Sequence, residues 1–227
     1  MATTTSPLDP GLADTVAQQV CAQVGWMLNP PLIVTGVSNR HVHLSAEDLR
    51  TLFGVEEFTP HRQVRQPGEF AAAETVTVVG PKHTFEQVRC MGPCRKATQV
   101  EISLTDARAL GLEAPVAQSG HLENAALVTI EGPQGTVRRP AAIAAARHIH
   151  MGDAHAASLG LKDQDTVSVA IDGPRGGIID HVIIRTKPEW VPELHVDTDE
   201  ANALGLTSTS FVRLIRPDGV ETTGGRR

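Results

Sequence analysis

Runs of alternating apolar and polar residues recur along the chain, each ending at a Pro/Gly turn. "ETVTVVGPK" (74–82), "ALVTIEGPQG" (126–135), "TVSVAIDGPRGG" (166–177) and "SFVRLIRPDG" (210–219) predict strands that enter turns. A second pattern is interleaved with them. "HLSAEDLRTLFG", "EISLTDARALGL", "HMGDAHAASLGL" and "HVDTDEANALGL" begin at His43, Glu101, His150 and His195. Each opens on a ligand-capable side chain, then one apolar residue, then Ser45, Ser103, Gly152 or Asp197. These residues suit a helix N-cap. Asp48, Asp106 and Glu200, three positions on, make capping boxes or close variants of one. Gly152 is the weakest cap, since His155 completes no box. Gly54, Gly111, Gly160 and Gly205 predict the helix ends. The unit is therefore strand, ligand, short capped helix and hairpin. Four copies, or two tandem pairs, predict a mainly β protein of two small barrel-like halves with short capping helices.

The N-terminal stretch has a different period. In "DPGLADTVAQQVCAQVGWML" (9–28), Asp9 can cap, Pro10 suits the first helical position, and Leu12, Val16, Val20 and Val24 form an apolar stripe. An amphipathic helix is predicted, ended by "NPP" at 29–31. The tail "RPDGVETTGGRR" is expected to fray.

Composition narrows the picture. In 227 residues, aromatics make up 3% and tyrosine is absent, so aliphatic side chains must fill the cores. A net charge of −6 argues against a nucleic-acid or anionic-membrane surface, while leaving room for an anionic substrate where basic residues cluster. Cys21, Cys90 and Cys94 do not form a disulfide framework. With no signal-peptide pattern and no apolar run of roughly 18–20 residues, a cytoplasmic protein is expected.

The chemistry lies in "SNRHVHLS" (38–45) and its echo "AARHIHMG" (145–152). In a strand, residues i and i+2 point to one side, about 6.6 Å apart along the chain. His41 with His43, and His148 with His150, thus present paired imidazoles. A lone His-x-His is more often an incidental surface pair, but two pairs at matched repeat positions, with His195 and Glu101 at further equivalent positions, point to metal. Five histidines and one carboxylate exceed what one tetrahedral ion needs. Two ions, or one ion and a second catalytic centre, both fit. His61, His83, His121, His155 and His181 fall outside the pattern and read as solvated or structural. Arg95, in the loop "GPCRKATQVEIS" (92–103), can grip phosphate bidentately, with Lys96 adding a point charge. Cys90 and Cys94 lack an assigned base and read as packing residues. A cupin-like single-metal enzyme is a rival, through His41, His43, Glu47 and Gly54. It needs Glu47 on a strand, where the capping pattern predicts a helix. A non-catalytic, metal-binding, shell-associated protein is the other alternative.

Five segments in order, "GVSNRHVHLS", "QPGEFAAAETVTVVGPK", "RKATQVEIS", "AARHIHM" and "HVDTDEANALGL", resemble the phosphate propanoyltransferases, phosphotransacylases of the propanediol-utilisation type. The resemblance runs from Gly36 to Leu206. It implies an enzyme that exchanges CoA and phosphate on propanoyl or acetyl groups, with a dinuclear site between two barrels. Two zinc ions per chain, or other divalent ions, would be held by His41 and His43 near the CoA sulfur and by His148, His150, His195 and Glu101. Arg95 would hold phosphate, and Ser38, Asn39, Arg40, Lys96 and Arg147 would contact CoA or phosphate. The barrels of the family exchange strands, which implies one barrel from residues 29–39 plus 146–216 and the other from 40–145, flanked by an extension (1–28) and a flexible tail (217–227). Related proteins of bacterial microcompartments carry a segment like 9–28 that directs them into a shell. Packing of that helix on its own barrel or on a homodimer partner is the other reading.

Overall fold

The computed structural model describes residues 29–217 together with Thr15, Val16 and Val20. The helix expected at 9–28 otherwise lies outside the described residues, as does the tail beyond Pro217. No helix among the described residues is long and apolar enough to cross a membrane.

The strands close into two rings. One barrel contains β1 (Leu32–Ser38), β10 (His148–Met151), β11 (Thr166–Ile171), β12 (Gly177–Thr186), β13 (Glu193–Asp197) and β14 (Phe211–Pro217), hydrogen-bonded in the order β1-β13-β10-β12-β11-β14. The other contains β2 (His41–Ser45), β4 (Phe70–Val79), β5 (Thr84–Arg95), β6 (Gln99–Glu101), β8 (Ala126–Glu131) and β9 (Thr136–Ala145). Its ladders run β4-β5-β2-β6-β9-β8 and return to β4. β3 (Pro60–Gln63) and β7 (Val116–Ala117) extend it at β4 and β9. Ring closure removes the unpaired edges that a flat sheet would expose.

The two rings share one plan. β2 lies antiparallel to β6 and parallel to β5, and β10 lies antiparallel to β13 and parallel to β12. Inside each, aliphatic residues pack into a separate core, Val42, Leu44, Leu49 and Ile130 in one, Ile33, Ile149, Leu194 and Leu214 in the other. Burial of a leucine or isoleucine contributes about 1.5–3 kcal/mol, so aliphatic residues supply these interiors without tyrosine.

Four short helices follow the ligand strands: α1 (Ala46–Phe53), α2 (Leu104–Leu110), α3 (Asp153–Ser158) and α4 (Thr198–Leu204). Ser45, Ser103 and Asp197 each accept a hydrogen bond from the backbone N–H three residues on, and Ser103 with Asp106 forms a complete capping box. Gly152 has no side chain to offer α3. Gly54, Gly111 and Gly205 end their helices in the left-handed region. The expected C-cap of α3 at Gly160 shifts by one: Leu159 caps the helix, and Gly160 follows with φ of 70°. Each side-chain cap contributes about 1 kcal/mol and, more to the point, locks the direction in which the preceding strand ends.

Candidate metal and anion site

β2 and β6 place His41 directly opposite Glu101, and β10 and β13 place His148 directly opposite His195. The period of two then brings His43 and His150 to the same faces. Two groups result, His41–His43–Glu101 and His148–His150–His195, each with candidate ligand atoms within 4.8 Å of one another. In the first, His41 Nε2 lies 3.5 Å from Glu101 Oε2 and His43 Nε2 lies 3.6 Å from Glu101 Oε1. In the second, the His148 and His195 rings stack with centroids 5.1 Å apart. The resemblance assigns Glu101 to the second group, whereas its carboxylate here sits against the two imidazoles of the first. The side chain nonetheless stands between the groups, since it lines a small recess together with His148 and His195.

Backbone contacts set the ring orientations. His41 Nδ1 lies 2.8 Å from the carbonyl of Asn39, and His148 Nδ1 lies 2.8 Å from the carbonyl of Ala146. Each Nδ1–H donates to the carbonyl two residues back, which fixes the ring and leaves Nε2 as the atom free to meet the site. His150 Nδ1 is buried without a partner, a cost that a bound ion removes. Burial, reinforced by neighbouring cationic groups, holds the His43 and His150 pKa values well below the usual imidazole range and brings His148 down to about 3. Burial alone would raise the Glu101 carboxyl, but His41, His43, Arg95 and His148 outweigh it and hold the group at about 2. Neutral imidazoles and an ionised carboxylate are the donor set that a zinc-class ion takes, so the residues fit a metal at both positions.

Supporting side chains stand two residues before the third ligand of each group. Gln99 donates to Glu101, and its own carbonyl accepts from Gly120 N–H at 2.7 Å. Glu193 lies 3.1 Å from His195 Nε2 and accepts from Gln66 Nε2 at 2.8 Å and Arg65 Nε at 3.1 Å. Gln66 is buried and also pairs with both backbone groups of Val191, so a loop of one barrel is tied into the other. Gly36 makes room for this carboxylate, since a Cβ there would lie 2.7 Å from Glu193 Oε1. None of these residues belongs to either candidate ligand group, and the repeat pattern gave no sign of them. The period of two, carried one step back from Glu101 and His195, points to both Gln99 and Glu193.

Both groups open onto one cavity of about 890 Å³ between the barrels. Ser38, Asn39, Arg40, Arg95 and Lys96 line it. Arg95 closes strand β5 rather than occupying a loop, paired with Ser45 of β2. Its Nη1 donates to Ser119 Oγ at 2.8 Å and lies 3.8 Å from Glu101. Arg40 reaches the wall but is bound to both carboxylate oxygens of Asp106. Arg147 pairs with Glu200 at 3.0 Å and is not part of this wall.

The cupin reading and a thiol nucleophile both lose their footing. Glu47 lies on α1 with an exposed side chain, as the cap at Ser45 requires, so the strand that a cupin motif needs is absent here. Cys90 is buried in a barrel core with its thiol pushed up to about 12, and burial followed by Glu57 also raises Cys94. Neither is a ready thiolate. His61, His83, His121, His155 and His181 are all exposed.

Residues 34–207 match the family model described as phosphate propanoyltransferase. The phosphate propanoyltransferase of Thermotoga maritima is 48% identical over 207 residues, spanning 90% of this chain and 99% of the relative. That of Rhodobacter capsulatus is 46% identical over 211 residues, 92% of this chain and 97% of the relative. That of Salmonella typhimurium is 46% identical over 188 residues, 82% of this chain and 90% of the relative.

Proposed function

The chain belongs to the phosphate propanoyltransferase family of acyltransferases, and on that premise we propose that it interconverts acyl-CoA and phosphate with acyl phosphate and CoA. Propanoyl-CoA and acetyl-CoA are the proposed substrates. Two divalent ions, zinc first among them, would be held by His41, His43 and Glu101 and by His148, His150 and His195, with Arg95 on phosphate. The observation that carries this reading is the convergence of both ligand groups and Arg95 on one inter-barrel cavity.

When bound, zinc-class ions supply Lewis-acid polarisation of the thioester carbonyl and a soft acceptor for sulfur. The protein's own part is positioning. Ser119 fixes one nitrogen of Arg95, and the remaining N–H groups hold phosphate in line with the acyl carbon, which removes much of the entropic barrier. A phosphate oxygen forms the new C–O bond as the C–S bond breaks. The electron pair leaves with sulfur, and the proton lost by hydrogen phosphate balances the one taken up by the CoA thiolate. The raised Cys90 and Cys94 thiols support direct transfer without an acyl-enzyme. Ser38, Asn39, Arg40 and Lys96 would contact CoA from the wall. Placement in propanediol degradation, in a microcompartment or in a homodimer rests on the resemblance and on the segment 9–28, of which only Thr15, Val16 and Val20 are among the described residues.

The test is thiol release by the metal-loaded chain from propanoyl-CoA or acetyl-CoA. Release that requires phosphate and yields acyl phosphate is expected. Metal binding without CoA release would identify a non-catalytic metal-binding protein instead.

A further inference from the structure

The cavity wall holds a second guanidinium, contributed by the barrel opposite Arg95. Arg185 lies on β12 directly across the ladder from His150, half-buried, and lines the same cavity as Arg95. The other half-buried arginines among the described residues meet acceptors: Arg40 meets Asp106, Arg139 Asp48, Arg147 Glu200 and Arg213 Asp172, while Arg89 meets backbone carbonyls and Arg95 meets Ser119. Among the described residues, Arg185 has neither a hydrogen bond nor an ion pair. Its guanidinium, with five N–H donors, lines the cavity without an acceptor from the protein, which leaves those donors available to an anion that enters.

The surrounding charges sharpen the point. Burial, then the like charge of Arg95, works against the charged form of Arg185, and Glu101, Asp163 and Glu69 offset this only from beyond ion-pair distance. Stacking on Trp190 does not account for the residue. Its Cζ is 5.8 Å from the ring centroid, whereas Lys187 Nζ lies at 4.4 Å over the same ring. Two guanidiniums from two barrels thus converge on one polar space beside imidazoles that burial keeps neutral. A small, multiply charged anion relieves their repulsion and satisfies both forks.

We infer that Arg185 is a second phosphate-contacting residue, which with Arg95 clamps phosphate in the forward reaction and the phosphoryl group of the acyl phosphate in reverse. This inference rests on the transfer reading above for its substrate, but its geometry asks only for a tetrahedral anion. Arg185 exchanges no proton and no electron pair. It stays charged and balances the negative charge on the non-bridging oxygens while the C–O bond forms.

Arg185→Ala and Arg185→Lys, in the full metal-loaded chain at constant ionic strength, test the assignment by two readouts. One is phosphate binding alone, by ³¹P line broadening; the other is steady-state transfer with each substrate varied in turn. Arg185→Ala should weaken phosphate binding and raise the phosphate KM by about tenfold or more, while the acyl-CoA KM moves by less than about twofold. Arg185→Lys should recover part of the binding, and added guanidinium should rescue the alanine variant but not the wild type. Phosphate binding at wild-type strength in a folded Arg185→Ala chain would overturn the inference, as would equal losses for both substrates. Should the alanine variant not fold, Arg185→Gln takes its place under the same criteria. Wild-type chain that binds phosphate through Arg185 but releases no CoA would refute the transfer reading and leave the anion clamp standing.

Discussion

The two ligand groups are built on the same ladders and differ in where each keeps its carboxylate. On β2 and β6, Glu101 stands among the ligand candidates and a neutral Gln99 supports it from two residues back. On β10 and β13 the order is reversed: His195 stands among the candidates, and the supporting residue, Glu193, carries the charge. Each group therefore has two imidazoles from one His-x-His, but the third donor is the carboxylate itself in the first and an imidazole paired with the Glu193 carboxylate in the second. The difference teaches that the ladder register decides where donors go, while side-chain identity decides the field they make. In the second group the charge is one step away and shared with Arg65 and Gln66, so it orients an imidazole and also joins the two barrels.

The sharpest break of the comparison is to remove one imidazole from either side. His43→Ala and His150→Ala should each lower phosphate-dependent CoA release by about a thousandfold or more, because the two groups act on one cavity and neither substitutes for the other. Circular dichroism should show both variants folded. Wild-type rates in a variant shown to lack metal would remove the groups from the chemistry.

Acid stability of the metal-stripped chain should separate the groups next. Below the ordinary imidazole pKa of 6.5, the unfolded chain takes up protons that His43, His148 and His150 refuse in the fold. The unfolded state then binds more protons, so stability falls as pH falls, by up to about 1.4 kcal/mol per pH unit for each such imidazole. Glu101, held at about 2, adds a further loss only below its ordinary value of 4.5. The second group has two strongly depressed histidines and the first has one. A His148→Gln/His150→Gln chain should therefore flatten the melting-temperature slope between pH 6.5 and 4.5 more than His43→Gln does. Equal slopes would contradict the assignment of the buried neutral rings.

The smallest effects should come from the supports. Glu193→Gln should weaken metal retention in the second group by about tenfold to a hundredfold, and Gln99→Ala should do the same in the first, each leaving the other group unchanged. Chelator-release kinetics read the two populations separately. A loss shared by both groups in either variant would mean that the supports act on the whole cleft.

Much of this frame is legible in the residues themselves. Because side chains alternate along a strand, His41 with His43 and His148 with His150 share faces in any register, and the caps at Ser45, Ser103 and Asp197 mark where those strands end. What local pattern does not carry is register between distant strands. It is the pairing of His41 with Glu101 that sets the carboxylate against the first pair of imidazoles, where the resemblance assigns it to the second. The resemblance also makes Arg40 and Arg147 contacts of CoA or phosphate, but each is bound to a carboxylate of its own barrel's helix. Their partners, Asp106 and Glu200, stand five residues after Glu101 and His195 on helices that only the closed barrels bring near. Glu193 and Arg185 read as ordinary strand positions until ring closure places one beside His195 and the other on the cavity wall.

Metal stoichiometry, measured by plasma mass spectrometry on purified full-length chain and on the His43→Ala and His150→Ala variants, tests the matched pair of sites most directly. The account predicts two equivalents per wild-type chain and the loss of one in each variant, with the remaining ion retained. A single equivalent in the wild type, or variants that keep the full complement, would contradict it.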